Sequence, residues 1–539
     1  MPVTTTAQQL RLYNTRTRSA DVFKPINDPT VLMYVCGPTV YDEAHLGHAR
    51  CYITWDVLFR FLKHLGYDVK YVRNITDVDD KILNRAAENG EAPSALAGRF
   101  TRRFHEVMAQ LNVAEPTLET KATEYIGPML EMVAILVEKG SAYVAADQTV
   151  YFHTPSFNAY GQLKGQNLDD LEAGARVEVD PNKKSPLDFA LWKPVDLSGG
   201  TLVKGEQYWD PADYGCRQFV PGRPGWHIEC SAMSRTELGD QIDLHCGGLD
   251  LIFPHHDNEI AQSEACTGVH PFSQVWMHNG FVNVSGEKMS KSLGNFSTIA
   301  ELLTVYDANT IRYFILTNKY RSPVDFNEAA LDSAQNWVKK RHGLIHTMYE
   351  ADNDAQAFGT MAAFAQRATA FWRDKNFSAL FDQADQTLEV LYDELKGRFD
   401  EKMSNDLNTP EALADLNELF HGFTKENDPQ YKKLCFSAFL YFSSVLGFDF
   451  VTPPVGAGGN LEAHQAALEA LLGEVSPGDH VAGQGGGSAD SLLQAIIAVR
   501  AEARASKNWA VSDQIRDGLG AIGIQLKDQK DGPTTWDWA

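Results

Sequence analysis

Val31-Leu32-Met33-Tyr34-Val35-Cys36-Gly37-Pro38, followed after a short loop by His45-Leu46-Gly47-His48, decides the fold of this chain. The first six residues form an apolar run of strand length closed by the breaker pair Gly37-Pro38, and so read as a buried strand. From about Gly47 to His64 the residues Ile53, Val57, Phe61 and Leu65 recur at helical spacing. Tyr67-Asp68-Val69-Lys70-Tyr71-Val72 then reads as a second strand. Strand, helix and strand in this order make a right-handed βαβ unit, the start of a doubly wound, Rossmann-type parallel sheet. His45-Leu46-Gly47-His48 stands where the loop enters the helix. Free backbone N–H groups and the positive end of the helix dipole suit a phosphate chain there. Gly47 lets the backbone approach a ligand closely, and two histidines three residues apart share a face and can donate to phosphate oxygens.

A four-residue pattern of this kind arises often by chance. Its weight comes from a second element far downstream, Lys288-Met289-Ser290-Lys291-Ser292, set between Gly286 and Gly294. Two lysines and two serines on a glycine-bounded loop suit the charge that develops on a pyrophosphate leaving group. Alone, the pentapeptide also reads as a solvated polar turn.

Outward from these elements, residues 95–140 read as helical, and 142–225 as short strands and turns rich in Gly, Pro and Asp, an insertion. Alternating α/β sequence returns at Gln241-Ile242-Asp243-Leu244-His245 and runs to about 317. From about 327 to 450 the chain is helical, with Leu331, Ala334 and Val338 supporting a bundle. Pro453-Pro454 and Gly456–Gly459 open a linker that ends at Gly483–Ser488, with a short helical stretch near 461–473. Helices from about 490 to 505 and 511 to 521, then Ile524-Gln525-Leu526, make a small last module. The expected layout is a catalytic domain over 1–325 with an insertion at about 120–225 and a signature loop at 286–294. A helical bundle at 326–450, a linker at 451–489 and a module at 490–539 follow.

The 539 residues exceed a single core, and 44% hydrophobic with 22% charged residues is the balance of a globular protein. No apolar run approaches the roughly 20 residues of a membrane helix. Residues 1–20 hold Arg11, Arg16 and Arg18 and no acid, a weak likeness to a transit peptide. Leu10–Asn14 alternates like a first strand, so a cytoplasmic location is expected instead. Seven scattered cysteines point to a reducing compartment and leave some of them open to ligand roles. A net charge of −23 disfavours general electrostatic binding of nucleic acid. Local basic stretches such as Arg99–Arg103 and Lys339–His342 remain, though each also reads as a solvated helix face.

A second constellation has metal-ligand chemistry. Cys36 closes the first strand, Cys230 follows Gly225-Trp226-His227-Ile228-Glu229, and Pro254-His255-His256-Asp257-Asn258-Glu259 opens a helical stretch. On a helix His255 and Glu259 lie one turn apart on one face. Two thiolates, an imidazole and a carboxylate suit Zn²⁺ far better than Mg²⁺ or Ca²⁺. The spacing is not that of a zinc finger. Two buried cysteines beside a polar helix start is the competing reading, and His256 competes with His255.

The two phosphate elements together resemble the class I aminoacyl-tRNA synthetases; Leu46 replaces the usual isoleucine, and Lys288–Ser292 match at all five positions. Val35–Asp42, Asn74–Ile82, Asp188–Lys193, Gly225–Met233 and Phe253–Ile260 resemble, within that class, the cysteinyl-tRNA synthetase family. The likeness runs from about 10 to 450 and resumes at 490–538. It implies activation of L-cysteine by Mg²⁺-bound ATP to an adenylate, then attack on that anhydride by the terminal adenosine of tRNA-Cys. His45, His48, Lys288 and Lys291 fall at the catalytic positions, and these four with Gly47 and Asp250 at the ATP positions. Leu249 departs from the smaller residue expected beside Asp250. Gly37, Thr39, Thr76 and Trp226 fall at amino-acid pocket positions, although Trp226 also reads as core packing. The implied zinc ligands are Cys36, Cys230, His255 and Glu259. The metal would take the substrate thiolate, because cysteine and serine are too alike for an apolar pocket to separate. The last module resembles an anticodon-binding end, with Arg504, Trp509, Asp513 and Asp528 at the matching positions. Packing and capping of a helix is the alternative for Trp509 and Asp513.

Val195–Arg223, with Cys216, and the linker are longer than the family pattern. A monomer is expected. A cysteine:amino-sugar ligase of mycothiol synthesis shares the adenylation and zinc motifs but predicts no anticodon-binding module. A noncatalytic tRNA-binding paralogue would have lost signature residues, and all are present.

Overall fold

The computed structural model describes residues 9–166, 180–199, 202–284, 287–288, 297–351, 359–382, 385–452, 465–475, 489–521, 524–527 and 534–538. An antiparallel hairpin, β1 (Arg11–Asn14) and β2 (Ser19–Val22), comes first. The βαβ unit follows as β3 (Thr30–Val35), α1 (Leu46–His64) and β4 (Asp68–Ile75). Next come α2 (Asp80–Asn89), α3 (Pro93–Gln110), β5 (Leu118–Lys121) and α4 (Ile126–Glu138). The insertion is an antiparallel sheet of β6 (Ala142–Val144), β7 (Val150–Phe152), β8 (Phe189–Pro194) and β9 (Gly222–Pro224). The α/β pattern resumes with α5 (Trp226–Leu238), β10 (Ile242–Gly248), α6 (Asp257–Thr267) and β11 (Ser273–Asn279).

Five of these strands form one parallel sheet in the order β11-β10-β3-β4-β5. The first strand lies in its middle, so strand order reverses between β3 and β10. In open α/β sheets the crevice outside the carboxyl ends at such a reversal is where ligands bind. Burial on both faces explains the apolar run of β3, whose Val31, Met33, Tyr34 and Val35 are inaccessible.

β5 corrects the expectation that 95–140 is helical throughout. It is a four-residue edge strand, LETK, that needs no apolar run because only β4 pairs with it. Its Glu119 sits opposite Arg73 and pairs with it at 2.8 Å, so a charged residue is what this position requires.

Downstream lie β12 (Val282–Val284), β13 (Glu287–Lys288), α7 (Ile299–Leu303), α8 (Ala308–Leu316) and β14 (Val324–Phe326), then α9 (Glu328–Ala351). Helices α10 (Met361–Asp374), α11 (Gln386–Ser404), α12 (Thr409–Lys425) and α13 (Pro429–Val445) complete the first compact unit, residues 1–338 with 353–449. The second unit is 339–352 with 450–539. It contains α14 (Gln465–Val475), α15 (Ala489–Ala505), α16 (Trp509–Ala521) and the hairpin β15 (Ile524–Lys527) with β16 (Thr535–Trp538). Leu468, Leu493, Ile496, Ile515, Leu519 and Ile524 form its core. Helix α14 therefore lies within the stretch read as linker yet shares this core.

Helix α1 buries a polar face as well as an apolar one. Asp56 pairs with Arg312 of α8 at 2.7 Å and with Arg60 at 2.8 Å, and it accepts from the Ala114 N–H at 2.9 Å. Arg312 also donates to the carbonyls of Leu111 and Asn112, both at 2.9 Å. At the far end His64 bonds Asp400 of α11 at 2.6 Å and Tyr441 of α13 at 2.8 Å. The helix is thereby tied to the bundle within its own unit. Removing one partner of a buried ion pair costs about 3–5 kcal/mol because a desolvated charge is left behind. Asp56→Ala is therefore expected to lower the urea midpoint of the first unit substantially, while Asp393→Ala, an exposed pair with Lys375, shifts it little. Equal midpoints for the two variants would contradict the assignment.

Candidate active site and metal centre

The loop from β3 into α1 is built by its own histidines. His45 is the N-cap residue and its Nδ1 accepts the Gly47 N–H at 3.1 Å. His48 Nδ1 accepts the His45 N–H at 3.1 Å, closing a capping box. With both Nδ1 atoms accepting, a neutral ring carries its proton on Nε2, so each imidazole is a donor. The rings lie 4.0 Å apart. A Cβ on residue 47 would sit 2.9 Å from His45 Cε1, which is why this turn takes glycine.

These residues border a cavity of about 350 Å³ at the carboxyl ends of β3 and β10, lined also by Cys36, Gly37, Thr39, Trp226 and Asp250. Asn279, Gly280, Phe281 and Val282 form another part of its wall. Gly37 is pressed against β4: its N–H donates to Asn74 Oδ1 at 2.7 Å, and a Cβ there would fall 1.4 Å from the Asn74 carbonyl oxygen. Thr39 bridges to Thr76, whose N–H donates to the Pro38 carbonyl at 3.0 Å. Thr76 is itself buried and does not line the cavity.

Beside the cavity, and sharing Cys36 with its lining, lies a buried cluster. Cys36 Sγ stands 3.9 Å from Cys230 Sγ and 3.6 Å from Glu259 Oε1; His255 Nε2 stands 3.1 Å from the same oxygen. All four side chains are buried. Glu259 Oε2 also bonds His245 Nε2 at 2.9 Å. Burial opposes the charge of Glu259, yet His245 and His255 hold it down to about 2. Burial likewise opposes a charged His255, but Glu259 and Cys230 push it up to about 10. In the sulfur pair, the Cys36 S–H directed at Cys230 lowers the latter, while burial drives Cys36 up.

His256 remains a geometric competitor. Cys36, His245, His256 and Glu259 form a second, overlapping donor set. In it His256 Nε2 stands 3.3 Å from Cys36 Sγ, while its Nδ1 bonds His278 Nε2 at 2.7 Å and His245 stacks on buried Trp276 at 4.2 Å. His278 in turn bonds Thr15 at 2.7 Å. His255 instead lies under the Trp226 indole, stacked at 4.3 Å and 23°, and Trp226 is 37% exposed and lines the cavity. Trp226 is therefore not a core residue.

The structure thus gathers Cys36, Gly37, Thr39, His45, Gly47, His48, Trp226 and Asp250 at one cavity, with Cys230, His255 and Glu259 buried around Cys36. Lys288 is described in backbone only, opposite Asn283. Lys291 and Asp528 lie outside the described residues. In the second unit Arg504 and Trp509 are exposed, Trp509 by 58%, and Asp513 pairs with Arg516 at 3.0 Å. Sequence reading did not single out Asn74, His227, His245 or His278. Asn74 stood inside a recognised block, but nothing local tells that a histidine's ring meets a distant carboxylate.

Residues 22–336 match the family model of the class I (C) tRNA synthetase catalytic domain, and residues 398–451 match the DALR domain. A cysteine–tRNA ligase of Heliobacterium modesticaldum is 41% identical, covering 97% of this chain and 98% of its own length. One from Alkalilimnicola ehrlichii is 42% identical, covering 98% and 99%. The chain belongs to the cysteine–tRNA ligase family. Its fold is that of a class I synthetase: a solved Agrobacterium radiobacter LeuRS–tRNA–LeuAMS complex superposes with a TM-score of 0.52 at 12% identity, over 79% of this chain and 85% of that one. No helix among the described residues is long and apolar enough to cross a membrane.

The close approach at Gly37 makes a direct prediction. Gly37→Ala has to push β3 and β4 apart at the cavity, and overpacking of this kind costs about 1–3 kcal/mol. The variant is expected to lose thermal stability and bind cysteine at least tenfold more weakly (about 1.4 kcal/mol) by equilibrium dialysis. Wild-type cysteine affinity in a folded variant would show that this contact does not shape the pocket.

Proposed function

We propose that Cys36, Cys230, His255 and Glu259 hold one Zn²⁺ beside the cavity, and that His45, His48, Lys288 and Lys291 contact the ATP phosphates. As a member of its family the chain is an ATP-dependent ligase that joins cysteine to tRNA. The observation that carries the metal reading is the spacing of the donors. Tetrahedral zinc with Zn–S near 2.3 Å places two sulfurs about 3.8 Å apart. Cys36 and Cys230 stand at 3.9 Å, with no disulfide between them. His255 is favoured over His256 because it joins both thiols in one donor set and stacks on Trp226, which lines the cavity. A zinc ion held there would supply a borderline-soft Lewis acid that prefers a thiolate sulfur to a hydroxyl.

The chain's own groups position the rest. His255 Nδ1 is 3.0 Å from His227 Nδ1, and Glu259 is braced by His245, so the donors are held before any ligand arrives. The Nε2–H donors of His45 and His48 and the helix N-terminus between them stabilise charge on the transferring phosphates. Gly37, Thr39 and Trp226, which line the cavity, are assigned to the cysteine pocket, with Thr76 behind them through its bond to the Pro38 carbonyl, and Gly47 and Asp250 to the nucleotide, which enters with Mg²⁺. Arg504, Trp509, Asp513 and Asp528 are assigned to the anticodon of tRNA-Cys; an exposed indole stacking on a splayed base supports this. Seven free thiols fit a cytoplasmic enzyme. The amino-sugar ligase reading is not favoured, because relatives matching essentially the whole chain are cysteine–tRNA ligases.

Two outcomes test these assignments. Cys230→Ala is expected to lose bound zinc by elemental analysis and to narrow the ratio of cysteine to serine activation by tenfold or more, about 1.4 kcal/mol. Unchanged zinc content would refute the ligand set. Lys291→Ala is expected to slow cysteine-dependent ATP–pyrophosphate exchange by about 100-fold, the cost of one lost charge-stabilising donor. An unchanged rate would remove that lysine from the phosphate site.

A further inference from the structure

Two residues beyond His48, α1 carries a buried arginine that no step above uses. Arg50 is 1% exposed, and among the described residues no carboxylate pairs with it. Its Nη1 donates to the Ile315 carbonyl at 2.7 Å. Its Nη2 reaches the carbonyls of Ser322 at 2.9 Å, Lys319 at 3.0 Å and Tyr320 at 3.1 Å. Burying a cation against carbonyls alone is expensive, and an apolar side chain would pack a helix face at less cost. Only a planar fork with several donors can grip two segments of chain at once.

Those segments lead to the second phosphate element. Ile315 lies in the last turn of α8, whose negative dipole end suits a guanidinium. The turn 319–322 is the base from which β14 starts. It accepts the Gly280 N–H on the Tyr320 carbonyl at 2.7 Å, and a Cβ on Gly280 would fall 2.4 Å from the Ser322 carbonyl oxygen. β14 pairs with β12 through Val324 and Val282, and β12 pairs with β13 through Asn283 and Lys288. Among the described residues, 297–299 are tied to the start of α1. Leu46 N–H donates to the Ser297 carbonyl at 3.2 Å, Ile299 N–H to the Ala44 carbonyl at 2.9 Å, and Thr298 bridges His45. Thus both flanks of the lysine-bearing segment are fastened to α1, one directly at the His45 turn and one through the Arg50 grip.

We infer that Arg50 is a positioning residue that sets the separation of two phosphate-contacting elements, the His45–His48 turn and the β12–β13 pair that ends at Lys288. It touches no reactant itself. This rests on the assignment of both elements to the ATP phosphates. Failure of that assignment shows separately, as unchanged exchange in Lys291→Ala. A shift of about 1 Å in a positioned group can cost about 100-fold in rate, so a loosened grip is felt in chemistry rather than in cysteine binding.

The test uses the full chain with Arg50→Met and Arg50→Lys, the latter keeping the charge without the fork. Equilibrium dialysis with cysteine counts folded sites, and single-turnover formation of cysteinyl-adenylate is measured per site. Arg50→Met is expected to form adenylate about 10- to 100-fold more slowly per cysteine-binding site. Its ATP KM should rise, while cysteine affinity stays within about twofold, the scatter of uncoupled sites. Arg50→Lys should fall between it and the wild type. A merely structural role predicts a loss that tracks the fall in cysteine-binding sites, with both KM values unchanged; that result overturns the inference. So does wild-type adenylate formation per site in either variant. If Arg50→Met fails to fold, the per-site rate of Arg50→Lys decides by the same criteria.

Discussion

The Cys36 N–H donates to the Cys246 carbonyl of β10 at 3.1 Å, and one residue later the Gly37 N–H turns to the other side and donates to Asn74 of β4 at 2.7 Å. At that point the middle strand of the sheet stops pairing and has to leave. The Cα of Gly37 lies so close to the Asn74 backbone that no side chain fits, so the chain can only carry on over the sheet edge into the loop before α1. The constraint places Cys36 among the buried donors and His45 at the head of the helix by a single short excursion. The buried thiol and the histidine turn are neighbours because they hang from the same strand end.

What surrounds that point is stiff and heavily polar for a protein interior. Glu259 is held by two histidines, Asp56 by two arginines and Arg50 by four carbonyls, and all three are buried. None of these is the cheapest way to fill space, since well-packed apolar groups usually stabilise as much or more. They give instead a set of directions: donor atoms that point to one place, and a helix whose ends cannot drift. Such preorganisation is what a reaction without a covalent enzyme intermediate relies on, because position and charge stabilisation do most of the catalysis.

The central elements were legible because their signals are local and redundant. The apolar run of β3, the periodicity of α1 and the breaker at Gly37-Pro38 each announce themselves within a dozen residues. β5 was not, because a four-residue edge strand held by one neighbour and an Arg73–Glu119 pair shows neither apolar run nor alternation. α14 falls among Gly- and Pro-rich text, and only its contact with α15 and α16 shows that it belongs to the last module. For the site, the i, i+4 pairing of His255 with Glu259 followed from helical geometry, and the structure has it at 3.1 Å.

By itself the sequence determined the fold class, the family and the residue types of both signatures, since short-range periodicity and long motif blocks survive without three-dimensional context. It favoured His255 over His256 by the i, i+4 relation to Glu259 and the family pattern, left Trp226 between pocket and core, and gave no role to His227, His245, His278 or Arg50. Only the tertiary structure decided that Trp226 lies over His255 at a cavity and that Arg50 joins α1 to the base of β14. The physical reason is the same in each case. These are contacts between side chains or carbonyls far apart in the chain, set by how the sheet orders its strands, and no spacing along the sequence encodes them.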